Sequence, residues 1–225
     1  MIIAGHQPNY LPWLGFFDKM SKCDVFIIED DMQFVYHEFH NRNKIKTKQG
    51  IRWLTVPVSE GRKRKKFSEM LILNEKNWSK RHWSILKSNY EKAPYWSEFS
   101  NFFAETYDKK WSKLLDLNLY LIEGIMDFLN IEKELVLGSS INVLGKKNDL
   151  LIAQCKALGA KTYLSGVGAR TYLDIDQFER EGINVVFQEF EYPTYPQLWG
   201  EFIQNLSVVD YLFCNGGKIW DSREL

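Results

Sequence analysis

The stretch that most constrains the fold is Met1-Ile-Ile-Ala-Gly-His-Gln-Pro-Asn-Tyr-Leu-Pro-Trp-Leu-Gly-Phe-Phe-Asp-Lys-Met20. Ile2 to Ala4 form an apolar run long enough for a buried strand, and Gly5, His6, Gln7 and Pro8 stop it at once. Pro12 suits the first turn of a helix, where its missing N–H costs nothing. Leu14, Phe17 and Met20 then share one face at helical spacing. Asp24 to Asp31 follow as a second apolar strand that ends in three carboxylates. A strand, loop, helix and strand in that order open an α/β fold, and open α/β sheets place ligands at the loop after the first strand. That loop holds His6, Gln7, Asn9, Tyr10 and Trp13. Tyr10 and Trp13 suit a core as well as a pocket, and a lone histidine can simply satisfy a buried backbone group. The place of His6, after a glycine at a strand end and before a proline-bracketed turn, favours the pocket.

Downstream, Gln33, Tyr36, His37, His40 and Asn41-Arg-Asn-Lys-Ile-Lys46 read as a polar loop leading into the β-branched run Ile51 to Val58. From Leu73 to Leu129 the apolar period becomes helical, with breaks at Ala93-Pro94 and near Asp108, so three helices are expected. His82 and Asn89 fall on the apolar face of the first, as satisfied core groups or as a pocket wall. A helix from Asp149 to Leu158 ends at Gly159, and the strand Lys161 to Leu164 runs into Ser165, Gly166, Gly168 and Arg170, a glycine-containing turn. Ser207 is a suitable N-cap for a closing helix that ends at Asn215-Gly-Gly217. The expected fold is therefore α/β, a Rossmann-like, mainly parallel sheet with a helical insertion. It is read as one domain over residues 1–225 with a helical layer at about 73–129. The five expected strands are Ile2–Ala4, Asp24–Glu29, Arg52–Val56, Thr162–Leu164 and Val185–Gln188.

Composition narrows the partners. Lys+Arg and Asp+Glu both number 29, so no global field favours nucleic acid or an anionic membrane. The local exception is Gly61-Arg-Lys-Arg-Lys-Lys66, a solvated loop or a polyanion contact. No segment has the length and apolarity of a membrane helix, and three scattered cysteines in apolar sequence suit buried thiols, so a soluble cytoplasmic protein is expected. No pair of cysteines has metal-ligand spacing, and His37 with His40 lacks a third ligand at fixed spacing, so no metal site is assigned.

Several motifs in order resemble the WbqC-like family of bacterial proteins: His6-Gln-Pro-Asn-Tyr-Leu-Pro-Trp-Leu-Gly15, Asp30-Asp-Met-Gln33, Asn41-Arg-Asn-Lys-Ile45, Leu54-Thr-Val-Pro57, Tyr163-Leu-Ser-Gly166, Tyr195-Pro-Gln197 and Leu206-Ser-Val-Val-Asp210. The resemblance implies a role in surface-polysaccharide clusters such as O-antigen loci, where nucleotide-linked sugars are built and decorated. The opening unit is also similar, more weakly, to HIGH-motif nucleotidylyltransferases, in which paired histidines hold nucleotide phosphates. Here Trp13 to Gly15 stand where the second histidine would be.

Three functions follow. In a transferase adding an acyl or aminoacyl group to an amino sugar, His6 is the general base, with Gln7, Asn41 and Asn43 orienting substrate or stabilising an oxyanion. In a nucleotidylyltransferase acting on a sugar phosphate, Lys46, Arg42 and Arg170 neutralise a triphosphate, His6 contacts the leaving phosphate, and Asp30 or Asp31 holds Mg²⁺. In a non-catalytic module, the Trp and Tyr surface recognises a sugar nucleotide or a partner enzyme. Neighbouring residues of a strand face opposite sides, and Gln33 in phase with Asp31 selects Asp31 as the catalytic carboxylate and Asp30 as a binding one. Asn9, Tyr10, Gln33, His82, Ser165 and Gly166 complete the expected substrate site; the cofactor is left open.

Overall fold

The computed structural model describes residues 1–59 and 65–218. Most of the cationic run at Gly61 to Lys66, expected as a solvated loop or a polyanion contact, lies outside the described residues.

Strand β1 (Ile2–His6) runs through the middle of the molecule because every neighbour it needs is apolar. Helix α1 (Leu14–Ser21) carries the chain to β2 (Val25–Ile28), which pairs parallel to β1 with Gly5 opposite Ile27 and His6 opposite Ile28. On the other side β6 (Thr162–Ser165) pairs parallel to β1, and β7 (Asn184–Phe187) pairs parallel to β6. With β5 (Glu134–Leu137) beside β2, the described residues form one five-stranded sheet in the order β5-β2-β1-β6-β7, parallel throughout. This is a Rossmann-like α/β fold.

Alternation along the strands splits the core in two. Ala4, Phe26, Ile28 and Leu164 face α1, α2 (Trp78–Tyr90), α3 (Trp96–Asp108), α4 (Leu114–Phe128) and α7 (Val208–Asn215). Ile3, Val25, Ile27 and Tyr163 face α5 (Asn148–Ala157) and α6 (Ile175–Arg180) through Ile152, Cys155 and Phe178. The three helices between residues 78 and 128 break where the sequence pattern breaks. Gly159, with φ +69°, follows α5, and the Ser207 hydroxyl accepts from Val209 N at 3.3 Å to start α7.

One strand assignment is corrected. Arg52–Val56 does not join the parallel sheet: β4 (Gly50–Thr55) pairs antiparallel with β3 (Arg42–Thr47) in a separate hairpin. The fifth strand of the main sheet is instead Glu134–Leu137. Its apolar run is only three residues long, too short to stand out, whereas β4 is conspicuous but exposes Ile51 and Trp53 to solvent. The stretch Asn41 to Lys46, read as a polar loop, leads into and forms most of β3, and much of it is buried: Asn43 and Lys46 are 1% and 2% exposed. The side chains of Asn41, Asn43 and Lys46 each donate to a partner, which is what allows their burial. Asn41 Nδ2 donates to Val56 O at 2.8 Å and Asn43 Nδ2 to Leu11 O at 2.6 Å.

Candidate functional site

The chain leaves β1 toward β2 on one side, and β6 lies on the other, so a crevice opens at the carboxyl ends of β1 and β6. This is where an open parallel sheet binds ligands. The crevice has two lobes that share His6, Lys19, Gly166 and Gly168. The larger, about 1150 Å³, is lined also by Gly5, Gln7, Glu29, Lys147, Tyr163, Ser165 and Tyr172. The smaller, about 510 Å³, is lined by Trp13, Phe16, Gln188, Phe190, Tyr192, Gln204 and Asn205.

At the floor sits Glu29, the residue after β2. Its backbone N–H donates to His6 O at 3.0 Å, which places it directly beside the end of β1. The carboxyl is cradled by two glycines: a Cβ on Gly5 would lie 2.8 Å from Glu29 Oε1, and one on Gly138 would lie 3.0 Å from Oε2. Oε2 accepts from Gln154 Nε2 at 3.2 Å, while Oε1 has no hydrogen-bond partner among the described residues. Burial is the main force on this carboxyl and pushes its pKa from 4.5 up to about 7. The charges of Asp31 and Asp30 add to it, and the Gln154 bond and Lys19 oppose it.

Lys19 reaches back from α1 to the same floor, and its Nζ donates to Gly5 O at 2.8 Å. Burial lowers its pKa to about 8, with Cys23 and Glu29 partly offsetting the effect. His6 Nδ1 lies 2.8 Å from Gln7 O. A carbonyl can only accept, so Nδ1 carries the proton and Nε2 keeps its lone pair. Desolvation first, then the charge of Lys19, pushes the imidazole down to about 3. The ring packs edge-on against Phe16, with centroids 5.1 Å apart. The cleft thus combines a neutral imidazole, an ammonium, and a carboxyl that titrates near neutrality.

A second layer fixes this group. His40 Nδ1 accepts from Val35 N at 3.2 Å, so its Nε2–H donates to Gln7 Oε1, 2.6 Å away. Asn118 Nδ2 donates to Pro8 O at 3.1 Å and to His40 O at 2.8 Å, joining the loop after β1 to α4.

The sequence profile of the WbqC-like protein family matches residues 7–221, nearly the whole chain. This protein belongs to the WbqC-like family. The chain is also 37% identical to the uncharacterized protein Rv1507c of Mycobacterium tuberculosis, an alignment covering 97% of this chain and 96% of that one. No solved structure matches it.

The motifs shared with WbqC-like proteins divide by position. His6, Gln7, Ser165 and Gly166 meet in the cleft. Asp30 does not line it: its oxygens accept from Ser139 N at 2.9 Å and Ser139 Oγ at 2.8 Å. Asp31 lies outside both lobes, with Lys66 Nζ 4.0 Å away, and Gln33 is exposed, its carbonyl accepting from Gln7 Nε2 at 3.4 Å. Asn9 is buried away from either lobe. Tyr10 and His82 are interior: the Tyr10 hydroxyl meets Tyr107 and, at 2.9 Å, His82 Nδ1, and all three side chains are buried.

The expected cations are engaged elsewhere. Lys46 Nζ donates to Gln197 Oε1 at 3.0 Å and to Glu201 O. Arg42 lies over Trp53 at 4.4 Å and Arg170 over Phe187 at 4.8 Å. The sequence reading missed Glu29 and Lys19. The signal that points to Glu29 is Gly5, a missing side chain on the strand next to the acidic end of β2. Lys19 carries a weaker one, a lysine among the buried positions of α1.

Proposed function

We propose that this protein transfers an acyl or aminoacyl group to an amino sugar in the assembly of a bacterial surface polysaccharide. The observation that carries the reading is the Glu29 carboxyl: buried in the cleft floor, with one oxygen unpartnered and a pKa near 7, it suits both proton removal and proton return. The sugar amine attacks the acyl carbon of an activated donor. As the C–N bond forms, the amine proton passes to Glu29 Oε1. The bond from the acyl carbon to the leaving group then breaks, and Glu29 returns that proton to the departing sulfur or oxygen. His6, through Nε2, accepts a hydrogen bond from the amine and orients it. Lys19, largely protonated at neutral pH, faces the negative charge developing on the acyl oxygen.

The nucleotidylyltransferase alternative has less support, because none of Lys46, Arg42 and Arg170 lines either lobe of the cleft. The reading is tested by incubating the protein with nucleotide-linked amino sugars and either acyl thioesters or a carboxylic acid with ATP, followed by mass spectrometry of the sugar. An acyl mass increment that Glu29→Gln abolishes supports the transferase. A nucleotidyl product formed from a sugar phosphate and a nucleoside triphosphate would overturn it.

A further inference from the structure

The smaller lobe differs in chemistry from the larger. Its walls are the rings of Trp13, Phe16, Phe190 and Tyr192, and amides of Gln188, Gln204 and Asn205 stand among them. Among its described lining residues the one charged group is Lys19, which with the neutral His6 belongs to the shared floor. A nucleoside diphosphate would find no cation to neutralise it on these walls, and an alkyl chain would leave the amides unmatched. A pyranose ring has what the lobe lacks: apolar C–H faces for the aromatic rings and hydroxyl edges for the amides.

The lobe is also built in advance. Trp13 pairs as a backbone bridge with Ser207, and Val208 N donates to Pro12 O at 2.8 Å, so Gln204 and Asn205 are held beside the indole. Gln188 Nε2 donates to Gly15 O at 2.8 Å and to Asp18 Oδ2 at 2.6 Å, and Lys22 Nζ donates to Glu189 O at 2.9 Å. These bonds fix the exit of β7, and with it Phe190, against α1. Trp13 stands edge to face with Phe190, centroids 5.4 Å apart. The indole lies across the first turn of α1 over Gly15, where a Cβ would fall 2.2 Å from its Cη2 atom. Gly15 therefore sets where the indole lies.

We propose that this lobe is the subsite for the acceptor's pyranose ring, with Trp13 as the platform against which the ring stacks and Gln204 and Asn205 as partners of its hydroxyls. The inference rests on the transferase reading and locates its acceptor: the ring lies on Trp13, and its amine points to the shared floor between His6 and Lys19. The activated donor then enters through the larger lobe, where Glu29 waits.

Binding can be read without turnover, by saturation-transfer NMR and calorimetry with a set of methyl aminodeoxyhexopyranosides and, separately, with uridine diphosphate. At least one glycoside is expected to bind the wild type, with saturation strongest on the ring C–H face. Trp13→Ala should weaken it about tenfold or more. Gly15→Ala, which displaces the indole, should do the same, and so should Gln204→Leu, a change at an exposed position that leaves the core intact. Failure of every glycoside to bind, unchanged affinity in Trp13→Ala and Gln204→Leu, or competition for the lobe by uridine diphosphate alone would overturn the subsite. Glycoside binding that depends on Trp13, in a protein that acylates no amino sugar, would leave the subsite standing and remove the transferase reading instead.

Discussion

Replacing Glu29 by glutamine should stabilise the protein at alkaline pH while removing its activity. Folding raises this carboxyl from 4.5 to about 7, so the folded state holds the proton more tightly than the unfolded chain. The protonated form's contribution is fully present below pH 4.5, is lost as pH rises toward 7, and stays lost above it. The gap amounts to roughly 3 kcal/mol, the cost of keeping an ionised carboxylate at 6% exposure with one oxygen unpartnered. Glutamine has nearly the shape of protonated glutamic acid and keeps an oxygen to accept from Gln154 Nε2. The two proteins should therefore differ by a constant at acid pH, whatever the fit of the amide. From that baseline the variant should gain roughly 3 kcal/mol between pH 4.5 and 8, or about 6 to 12 °C in Tm for a chain of this size. Urea unfolding of both proteins at several pH values measures the difference and cancels groups common to both. A difference that stays flat across this range, or that turns against the variant as pH rises, would refute the reasoning.

Three further outcomes follow. Gly5→Ala places a methyl 2.8 Å from Glu29 Oε1, so it should displace the carboxyl and lower turnover at least tenfold, with the sheet retained by circular dichroism. Tyr10→Phe leaves His82 Nδ1 and the Tyr107 hydroxyl short of a buried partner; it should cost about 1 to 3 kcal/mol in urea unfolding and leave ligand affinity unchanged. Burial lowers His6, His40 and His82 to about 3, 4 and 3, so the unfolded chain takes up protons first. In the Glu29→Gln variant Asp210, also raised by burial, still opposes them, but three histidines against one carboxyl should make stability fall as pH drops from 6.5 toward 4, as followed by the urea midpoint.

How far the sequence reached depends on which signal each element leaves. β1, α1 and β2 were legible because an apolar run, a proline-bracketed turn and a helical stripe occur in one order within thirty residues. The helices between residues 78 and 128 were legible for the same reason, as long periodic patterns. β5 was not, since three apolar residues between a charged run and Gly138 carry no period. Asn41 to Lys46 misled because composition reports polarity and not partners: Leu11, Val56 and Gln197, which make burial possible, are distant in sequence. The site divides in the same way. His6, Gln7, Ser165 and Gly166, singled out at strand ends, line one cleft, because strand ends are the places where topology alone brings residues together. Between Asp30 and Asp31 the phase shared with Gln33 pointed to Asp31, yet the carboxylate facing the cleft is Glu29, selected by space that Gly5 and Gly138 leave open. His82 shows the converse, a polar residue on an apolar face whose hydrogen bonds are those of a core group.

The central claim is that a carboxyl at the meeting of β1 and β2 is poised to exchange protons near neutral pH. It is tested most directly by the ¹³C carboxyl resonance of Glu29 in glutamate-labelled protein, assigned through its disappearance in Glu29→Gln and followed from pH 3 to 10. A midpoint at about 7 is expected. A midpoint at 4.5, the ordinary value for a solvated glutamate, would contradict the account.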